Sequence, residues 1–389
     1  MTLRAFHYRC GPEAEPCAKS FTTTVNYASP ESAGPRPDLF THERGSVMAT
    51  GCTKFGGAIF GSVLVLAGAQ AASADELNLY TTREPGLIQP LIDAFTKSSG
   101  VTVNTIFLQD GVAERVIAEG DKSPADVLMT VDAGVLIDLV EKGLTQSVES
   151  QVLNSTIPET LRDDDGHWFA LSMRARAVYV AKDLELDKIT YEQLADPAWK
   201  GKLCMRSGLH PYNVALTGSF IAHHGEEAAE KWLTGLKANL ARPAAGGDRD
   251  VARDIMGGLC EIGIANSYYV GLMRSGAGGP EQEEWAKAIR MILPTFEDGG
   301  TQVNITGAAV ARHAPNKDQA VQFLEYLVSD EAQAIYAKAN FEYPVNANAT
   351  VDPLVAEFGT LTPDTIDIVE GVKFRAAATQ MAERIGFDN

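Results

Sequence analysis

The apolar positions between residues 76 and 143 switch between two spacings. Some segments alternate apolar and polar residues or are rich in β-branched residues, which is typical of strands, and these lie at 76–81, 101–108 and 126–130. In the segments between them, apolar residues recur every three or four positions, which predicts helices over 87–99, 112–119 and 133–142. Strands and helices that alternate in this way predict a mainly parallel sheet with helices on its faces.

A long extended stretch at 168–181 (WFALSMRARAVYVA) interrupts this order, since no helix separates its parts. A second α/β series follows, with segments at 191–195, 202–206, 212–223, 226–238, 248–256, 260–266 and 269–274. Further strands are predicted at 289–296 and 308–311, and helices at 318–328, 330–339 and, as one long helix, 364–385. The pattern predicts two α/β lobes joined by crossing strands, with ligands bound in the cleft at strand ends and helix N-termini.

The strongest apolar segment, residues 55–74, is too short and too rich in Gly and Ala for a membrane-spanning helix. Lys54 precedes it and Ala72-Ser73-Ala74 ends it, which is the pattern of a secretory signal peptide. We therefore expect 48–74 to be a signal peptide that directs the protein to the periplasm, and 1–47 to be a wrongly assigned extension upstream of Met48. A membrane anchor is the alternative. A lipoprotein is disfavoured because Cys52 lies before the apolar segment.

The chain of 389 residues carries a net charge of −18, so nucleic acid and anionic membranes are poor partners. Residues 1–74 contain six of the 33 basic and five of the 51 acidic residues, which leaves a net charge of −19 for the rest. The same cut removes Cys10, Cys17 and Cys52 and leaves Cys204 and Cys260. A single pair of cysteines in an exported protein predicts a disulfide, with two buried free thiols as the alternative.

Three tyrosines stand at predicted cleft positions. Tyr268 and Tyr269 follow an apolar strand directly, and Tyr212 begins the helix after another strand. Phenolate is a hard oxygen donor and a known ligand of ferric haem iron. A cation of charge +3 can remove the phenol proton, and three phenolates would balance that charge. The residues alone also allow a structural role, or stacking on a ligand such as a sugar or a polyamine.

Several charged residues are candidates for the same cleft. Arg83 and Glu84 follow the first strand, where they either line the cleft or form an ion pair on the surface. Arg174 and Arg176 share one face of the extended stretch, where they could hold an anion or, as we favour, pair with carboxylates. Asp132 is expected to cap the next helix, with metal ligation as a second role. The sequence contains no nucleophile, zinc or nucleotide motif, so we do not expect an enzyme.

Together these segments resemble the bacterial ferric-iron-binding proteins of ABC importers, which are two-lobed, transferrin-like periplasmic binding proteins of type II. The similar segments run in order along the chain: LNLYTTRE, SPADVLMTVDAG, WFALSMRARAVYV, WKGKLCMRSGLHPYN, GIANSYYVGLMRSG, VNITGAAVARHAPNKDQAVQFLEYL and EYPVN. The SxxxxYN segment and the paired tyrosines are most similar to the cyanobacterial-type subgroup.

The resemblance implies that Tyr212, Tyr268 and Tyr269 bind Fe(III). It also implies a first lobe made of 75–174 and 300–348, and a second lobe, with the tyrosines, made of 175–299 and 349–389. The first lobe departs from the family because Glu84-Pro85 and Val131 stand where members carry His or Glu ligands. Three possibilities remain for the iron coordination positions on the first-lobe side: Glu84 or Asp132 ligates, a synergistic anion such as carbonate is held by Arg83, or water completes the shell. The anion and water rank first.

The implied function is capture of ferric iron in the periplasm and its delivery to an inner-membrane ABC permease. We expect a monomer that performs no catalysis. The alternative is a binding protein of the same fold for another small solute, such as a polyamine, a phosphonate or a sugar.

Overall fold

A computed structural model describes residues 75–389 of the chain. The extension predicted at 1–47, the signal peptide predicted at 48–74 and the cysteines at 10, 17 and 52 lie outside the described residues. Within residues 75–389, no helix is both long and apolar enough to span a membrane.

The described chain contains ten strands: β1 (Glu76–Thr81), β2 (Thr102–Phe107), β3 (Val127–Thr130), β4 (Thr145–Gln146), β5 (Phe169–Ala181), β6 (Leu203–Met205), β7 (Ile262–Asn266), β8 (Ile289–Ile292), β9 (Val303–Ala311) and β10 (Tyr343–Pro344). It contains thirteen α-helices: α1 (Pro85–Ser99), α2 (Val112–Glu119), α3 (Ala133–Glu141), α4 (Gln151–Thr156), α5 (Pro211–Asn239), α6 (Asp248–Met256), α7 (Tyr268–Arg274), α8 (Pro280–Lys287), α9 (Lys317–Leu327), α10 (Asp330–Asn340), α11 (Pro353–Ala356), α12 (Ile368–Lys373) and α13 (Arg375–Arg384). Short 3-10 helices lie at Gly120–Lys122, Glu159–Leu161, Glu192–Ala195 and Pro197–Trp199.

Neighbouring strands hydrogen-bond in the order β2-β1-β3-β9-β5-β7-β6. Strand β4 also pairs with β9, and β8 and β10 pair with β5. The first three strands are parallel, as the strand–helix repeats predict, and so are β6 and β7. The prediction of a mainly parallel sheet is wrong for the rest, because β5 and β9 run antiparallel to each other and to their other neighbours. Strand β5 leaves this half of the sheet and β9 enters it, so the two strands run in opposite directions.

Strand β5 connects the two halves of the sheet. Its first half, up to Ala175, pairs with β9, and its second half, from Arg176, pairs with β7. One apolar core packs between β1, β3, β9 and helices such as α1 and α9. A second core packs between β6, β7, β8 and helices α5 and α13. The extended stretch predicted from the sequence is therefore confirmed as the strand that passes from one half to the other.

Three predicted elements are wrong in extent. The strand expected at 289–296 ends at Ile292 in β8. The strand expected at 308–311 begins five residues earlier, at Val303, because the whole of β9 pairs with β5 and β3. The long helix expected over 364–385 is two helices, α12 and α13, and Phe374 between them has φ −91° and ψ 5°. Asp364 lies outside both because its carboxylate hydrogen-bonds with His223 and the Gly300 N–H.

Helix α12 is separate because it packs closely against α5. A Cβ atom on Gly371 would lie 2.8 Å from the hydroxyl oxygen of Ser219, and one on Gly218 would lie 2.4 Å from the Gly371 carbonyl oxygen. Helix α5 itself bends at Gly225, whose φ of 78° is outside the helical region. The two sequence-predicted helices at 212–223 and 226–238 correspond to its two parts.

Candidate metal centre

Tyr212 lies in the first turn of α5, which follows β6. His210 caps this helix, and its Nδ1 accepts the Tyr212 backbone N–H at 3.2 Å. Burial, and then the charge of Arg206, lower the pKa of His210 to about 4, so the imidazole is neutral and Nδ1 can accept this bond. The His210 and Tyr212 rings pack with their centroids 4.5 Å apart. The cap and the ring contact together orient Tyr212.

Tyr268 and Tyr269 are the first two residues of α7, directly after β7. The residue before them, Ser267, is attached to β5 through two hydrogen bonds. The Ala175 N–H donates to the Ser267 hydroxyl at 3.1 Å, and the Ser267 N–H donates to the Ala175 carbonyl at 3.0 Å. The two tyrosine rings lie with centroids 4.1 Å apart and planes inclined by 34°. The crossing strand thus fixes the turn that presents the pair.

The three tyrosines share one cavity of about 370 Å³. Burial raises the pKa of Tyr268 well above its usual value of 10, and the neighbouring Tyr269 and Tyr212 hydroxyls raise it further. The pKa of Tyr269 is raised by burial and by Tyr212. The cavity is also lined by Thr82, Arg83, Glu84, Leu87, Val131, Arg174, Arg249, Leu272 and Glu342.

A buried ion pair forms another part of the cavity wall. Arg83 Nη2 donates to both carboxylate oxygens of Glu342, at 3.1 and 3.2 Å, and to the Thr306 hydroxyl. Glu342 also accepts from the Ser172 hydroxyl. Burial by itself would raise the pKa of Glu342, but the charges of Arg83 and Arg174 and the hydrogen bonds from Ser172 and Arg83 together outweigh it, and the pKa lies below its usual value. Glu342 is therefore a carboxylate whose charge Arg83 balances.

Two buried guanidinium groups in this wall retain free N–H groups. Arg174, on β5, is 3% exposed. Its Nη2 donates to the Val131 carbonyl, whereas Nη1 has no hydrogen-bond partner among residues 75–389. Arg83 Nε likewise lacks a partner in the described part of the chain. Both residues line the cavity, and guanidinium groups that are not fully hydrogen-bonded within the protein are suited to an anion.

The three first-lobe candidates differ in position. Arg83 and Glu84 both line the cavity, and Glu84 is exposed and makes no capping hydrogen bond at the start of α1. Asp132 is not among the lining residues. Its predicted capping role is confirmed, since it accepts the Gly134 and Val135 N–H groups at 3.0 and 3.2 Å.

The Asp132 carboxylate has further partners. Asn304 donates to it at 2.9 Å and Arg375 at 2.6 Å. Burial would raise the pKa of Asp132, but the charge of Arg375 and these bonds bring it below the usual value. A metal ion would have to displace these donors before Asp132 could bind it.

Sequence reasoning missed Glu342 and Arg249, and it favoured a structural role for Arg174. Arg249 lies 5.7 Å from the centroid of the Tyr269 ring. A single acidic residue in the otherwise weakly charged AKANFEYPVN segment was the available signal for Glu342. Within residues 75–389, no three His, Cys, Asp or Glu side chains are grouped so that they could hold a metal ion.

The predicted disulfide between Cys204 and Cys260 is confirmed, with Cα atoms 5.9 Å apart. Cys204 lies in β6, and Cys260 lies just before β7. These parallel neighbouring strands lead to the helices that begin with Tyr212 and with Tyr268. The bond thus joins the two strand–helix units that carry all three tyrosines.

Comparison with known proteins gives a consistent result. Residues 122–363 match the family described as bacterial extracellular solute-binding protein. Iron uptake protein A2 of Synechocystis is 38% identical over 322 residues, covering 82% of this chain and 91% of that protein. The solved Bordetella ferric binding protein is 61% identical, with a TM-score of 0.79, and the match covers 81% of this chain and 100% of that one. A Trichodesmium protein solved in complex with iron and citrate is 40% identical, with a TM-score of 0.76 and coverage of 80% and 99%.

These matches extend over nearly the whole of the solved chains, and they confirm the predicted two-lobed α/β fold of a periplasmic binding protein. The relatives of this chain are solute-binding transport proteins. The chain belongs to the family of bacterial extracellular solute-binding proteins.

Proposed function

We propose that this protein captures ferric iron in the periplasm through Tyr212, Tyr268 and Tyr269 and delivers it to an inner-membrane ABC permease. The observation that carries the proposal is the meeting of three phenols in one cavity. Three phenolates neutralise Fe(III), and hard oxygen donors suit it. Relatives with 38% and 61% identity are named an iron uptake protein and a ferric binding protein, which supports the same cargo.

The remaining coordination positions are filled, in this proposal, by a synergistic anion such as carbonate, together with water. Support comes from the free N–H groups of Arg83 and Arg174, which lie in another part of the cavity wall. The Trichodesmium relative was solved with citrate as well as iron. Glu84 is the alternative ligand from this wall, whereas the Asp132 carboxylate already accepts four hydrogen bonds.

Capture is completed by closure of two lobes. We assign 75–174 with 300–348 to the first lobe, and 175–299 with 349–389 to the second. Strand β5 crosses between them, and the chain returns to the first lobe just before β9, so these two passages would act as the hinge, a motion known for periplasmic binding proteins. Closure excludes water, which strengthens the attraction between the metal and the phenolates.

The protein acts in this scheme as a carrier and not as an enzyme. It works as an exported monomer, released from the signal peptide at 48–74, and does not bind nucleic acid. The net charge of −18 agrees with the last point.

Titration of the purified protein with Fe(III) tests the proposal. Bound tyrosinate gives a visible charge-transfer band, so the solution should become coloured up to one equivalent of iron. Tyr268→Phe combined with Tyr269→Phe should remove most of the band and weaken binding at least a hundredfold, because two of three anionic ligands are lost.

The matched control is Tyr326→Phe. Tyr326 lies in α9, outside the cavity, and its hydroxyl has no partner among the described residues. This variant should bind iron as the wild type does. A wild-type protein that stays colourless, or isolates with a polyamine, phosphonate or sugar in place of iron, contradicts the proposal.

A further inference from the structure

Arg176 lies at the point where the crossing strand changes partners. Ala175 pairs with Val303 of β9, and Arg176 pairs with Asn266 of β7. The backbone of Arg176 is fixed on both sides, since its N–H donates to the Gln302 carbonyl at 2.9 Å and its carbonyl accepts the Tyr191 hydroxyl at 2.7 Å. The residue is 1% exposed and is not among the residues lining the cavity, so it does not contact a bound ion.

The Arg176 guanidinium lies 5.8 Å from the centroid of the Tyr212 ring and donates hydrogen bonds to three other side chains. Nη1 donates to Asp248 at 2.6 Å and to Asn266 at 2.9 Å. Nη2 and Nε donate to the Asn213 side-chain oxygen, at 2.6 and 3.2 Å. All three acceptors are buried. The planar, forked donor geometry of arginine is what allows one side chain to hold three partners at once.

Each of these partners adjoins a tyrosine of the site. Asn213 follows Tyr212, and Asn266 precedes Tyr268 by two residues. Asp248 is followed by Arg249, whose guanidinium lies above the Tyr269 ring.

The partners are also bonded to one another and to the turns. The Asn266 N–H donates to Asp248 at 2.8 Å. Asn213 Nδ2 donates to the carbonyls of Arg206 and Ser207, in the turn before α5, at 3.0 and 2.9 Å. The network therefore connects the starts of α5, α6 and α7.

Stability alone does not account for this ion pair. Removing a guanidinium and a carboxylate from water costs several kcal/mol for each ion, and well-packed apolar replacements of buried pairs are often as stable or more stable. A fully bonded buried network does, however, specify one arrangement of the groups attached to it. Here those groups are the backbone segments that carry the three phenols.

We infer that Arg176 is a positioning residue for the metal centre: its contacts with Asn213, Asn266 and Asp248 set the relative positions of Tyr212, Tyr268 and Tyr269. This inference rests on the proposed iron binding by these tyrosines. Because Arg176 is on a strand that crosses between the proposed lobes, the same contacts attach the ligand set to the hinge.

The test compares the Fe(III) complexes of the full-chain wild type, Arg176→Gln and Arg176→Lys. Glutamine keeps one hydrogen-bonding group but loses the charge and the fork, so iron should dissociate at least tenfold faster and the charge-transfer band should shift and weaken per bound iron. Lysine keeps the charge and part of the contacts, so Arg176→Lys should have a dissociation rate and a charge-transfer band between those of Arg176→Gln and the wild type. The matched control is Arg242→Gln, which breaks the ion pair with Asp254; neither residue lines the cavity or hydrogen-bonds with Arg176. It should change thermal stability and leave the band and the dissociation rate unchanged.

Asn266→Ala keeps the test decisive if Arg176→Gln does not fold. This change removes one Arg176 contact and nothing else on the side chain, since Asn266 Nδ2 has no partner among the described residues. It should speed iron dissociation several-fold with a shifted band. Folded variants at both positions with the wild-type band and rate would overturn the inference. A wild type that shows no band at all would instead contradict the proposed function.

Discussion

At the scale of single residues, the phenols of Tyr268 and Tyr269 are protonated before iron arrives. Burial and the neighbouring hydroxyls hold the pKa values of Tyr268 and Tyr269 above 10. Iron must therefore displace these protons as it binds. Positive charge nearby, from Arg83, Arg174 and Arg249, would favour the phenolate forms once the metal is in place.

Iron affinity should therefore rise with pH. Raised pKa values mean that both phenols stay protonated through pH 5–8, so each bound iron releases at least two protons, and the apparent association constant should rise by at least two log units per pH unit. Affinity is lost as the pH falls. Competition against a chelator of known iron affinity, repeated across this range, measures the slope, and a slope near zero would show that these two tyrosines are not ligands.

The residue types of the site could be read from the sequence, but their partners could not. Tyr212, Tyr268 and Tyr269 stand at strand ends and helix starts, and the family resemblance singled them out. Glu342 and Arg174 escaped because their roles depend on burial and on contacts with segments far along the chain. A sequence pattern shows where a charge lies along the chain but not which group will balance it.

At the scale of elements, local signals fixed most of the boundaries near the site. Gly100, in the left-handed region at φ 79°, ends α1 as expected, and the predicted bounds of α2 and α6 agree with the structure. Two of the errors lie where tertiary contacts decide, at β9 and at the break between α12 and α13. Packing of α12 on α5 is invisible to periodicity.

The disulfide between β6 and the start of β7 should contribute both stability and order. Closing the segment between Cys204 and Cys260 restricts the unfolded chain, so Cys204→Ser with Cys260→Ser should lower the free energy of unfolding by about 4 kcal/mol. Urea denaturation of the iron-free protein measures this. Reduced wild type should unfold like the double variant, and equal midpoints for the oxidised wild type and the variant would show that the bond constrains neither state.

At the scale of the whole molecule, a sheet whose strand β5 passes from one half to the other brings the parts of the cavity together. Thr82–Glu84 follow β1, Glu342 precedes β10 and Arg174 lies on β5 itself, whereas Tyr212, Tyr268 and Tyr269 follow β6 and β7. The alternation of strands and helices predicted two α/β units. It could not predict that β9 returns antiparallel between β3 and β5, because that pairing depends on a connection of many residues.

Iron should make the molecule more compact, because an ion bound by the tyrosines and by the anion on Arg83 and Arg174 attracts both walls of the cavity. Small-angle X-ray scattering of the iron-free and iron-loaded protein should show a smaller radius of gyration with iron. The Tyr268→Phe, Tyr269→Phe double variant should show no change on adding iron. An identical radius for both wild-type states would contradict closure around the hinge.

The central claim is tested most directly by a crystal structure of the iron-loaded protein with anomalous scattering recorded at the iron absorption edge. The account predicts one strong iron peak in the cavity, bonded to the phenolate oxygens of Tyr212, Tyr268 and Tyr269, with an anion between the iron and the guanidinium groups of Arg83 and Arg174. A peak elsewhere, or an iron ion held without these three oxygens, would contradict it.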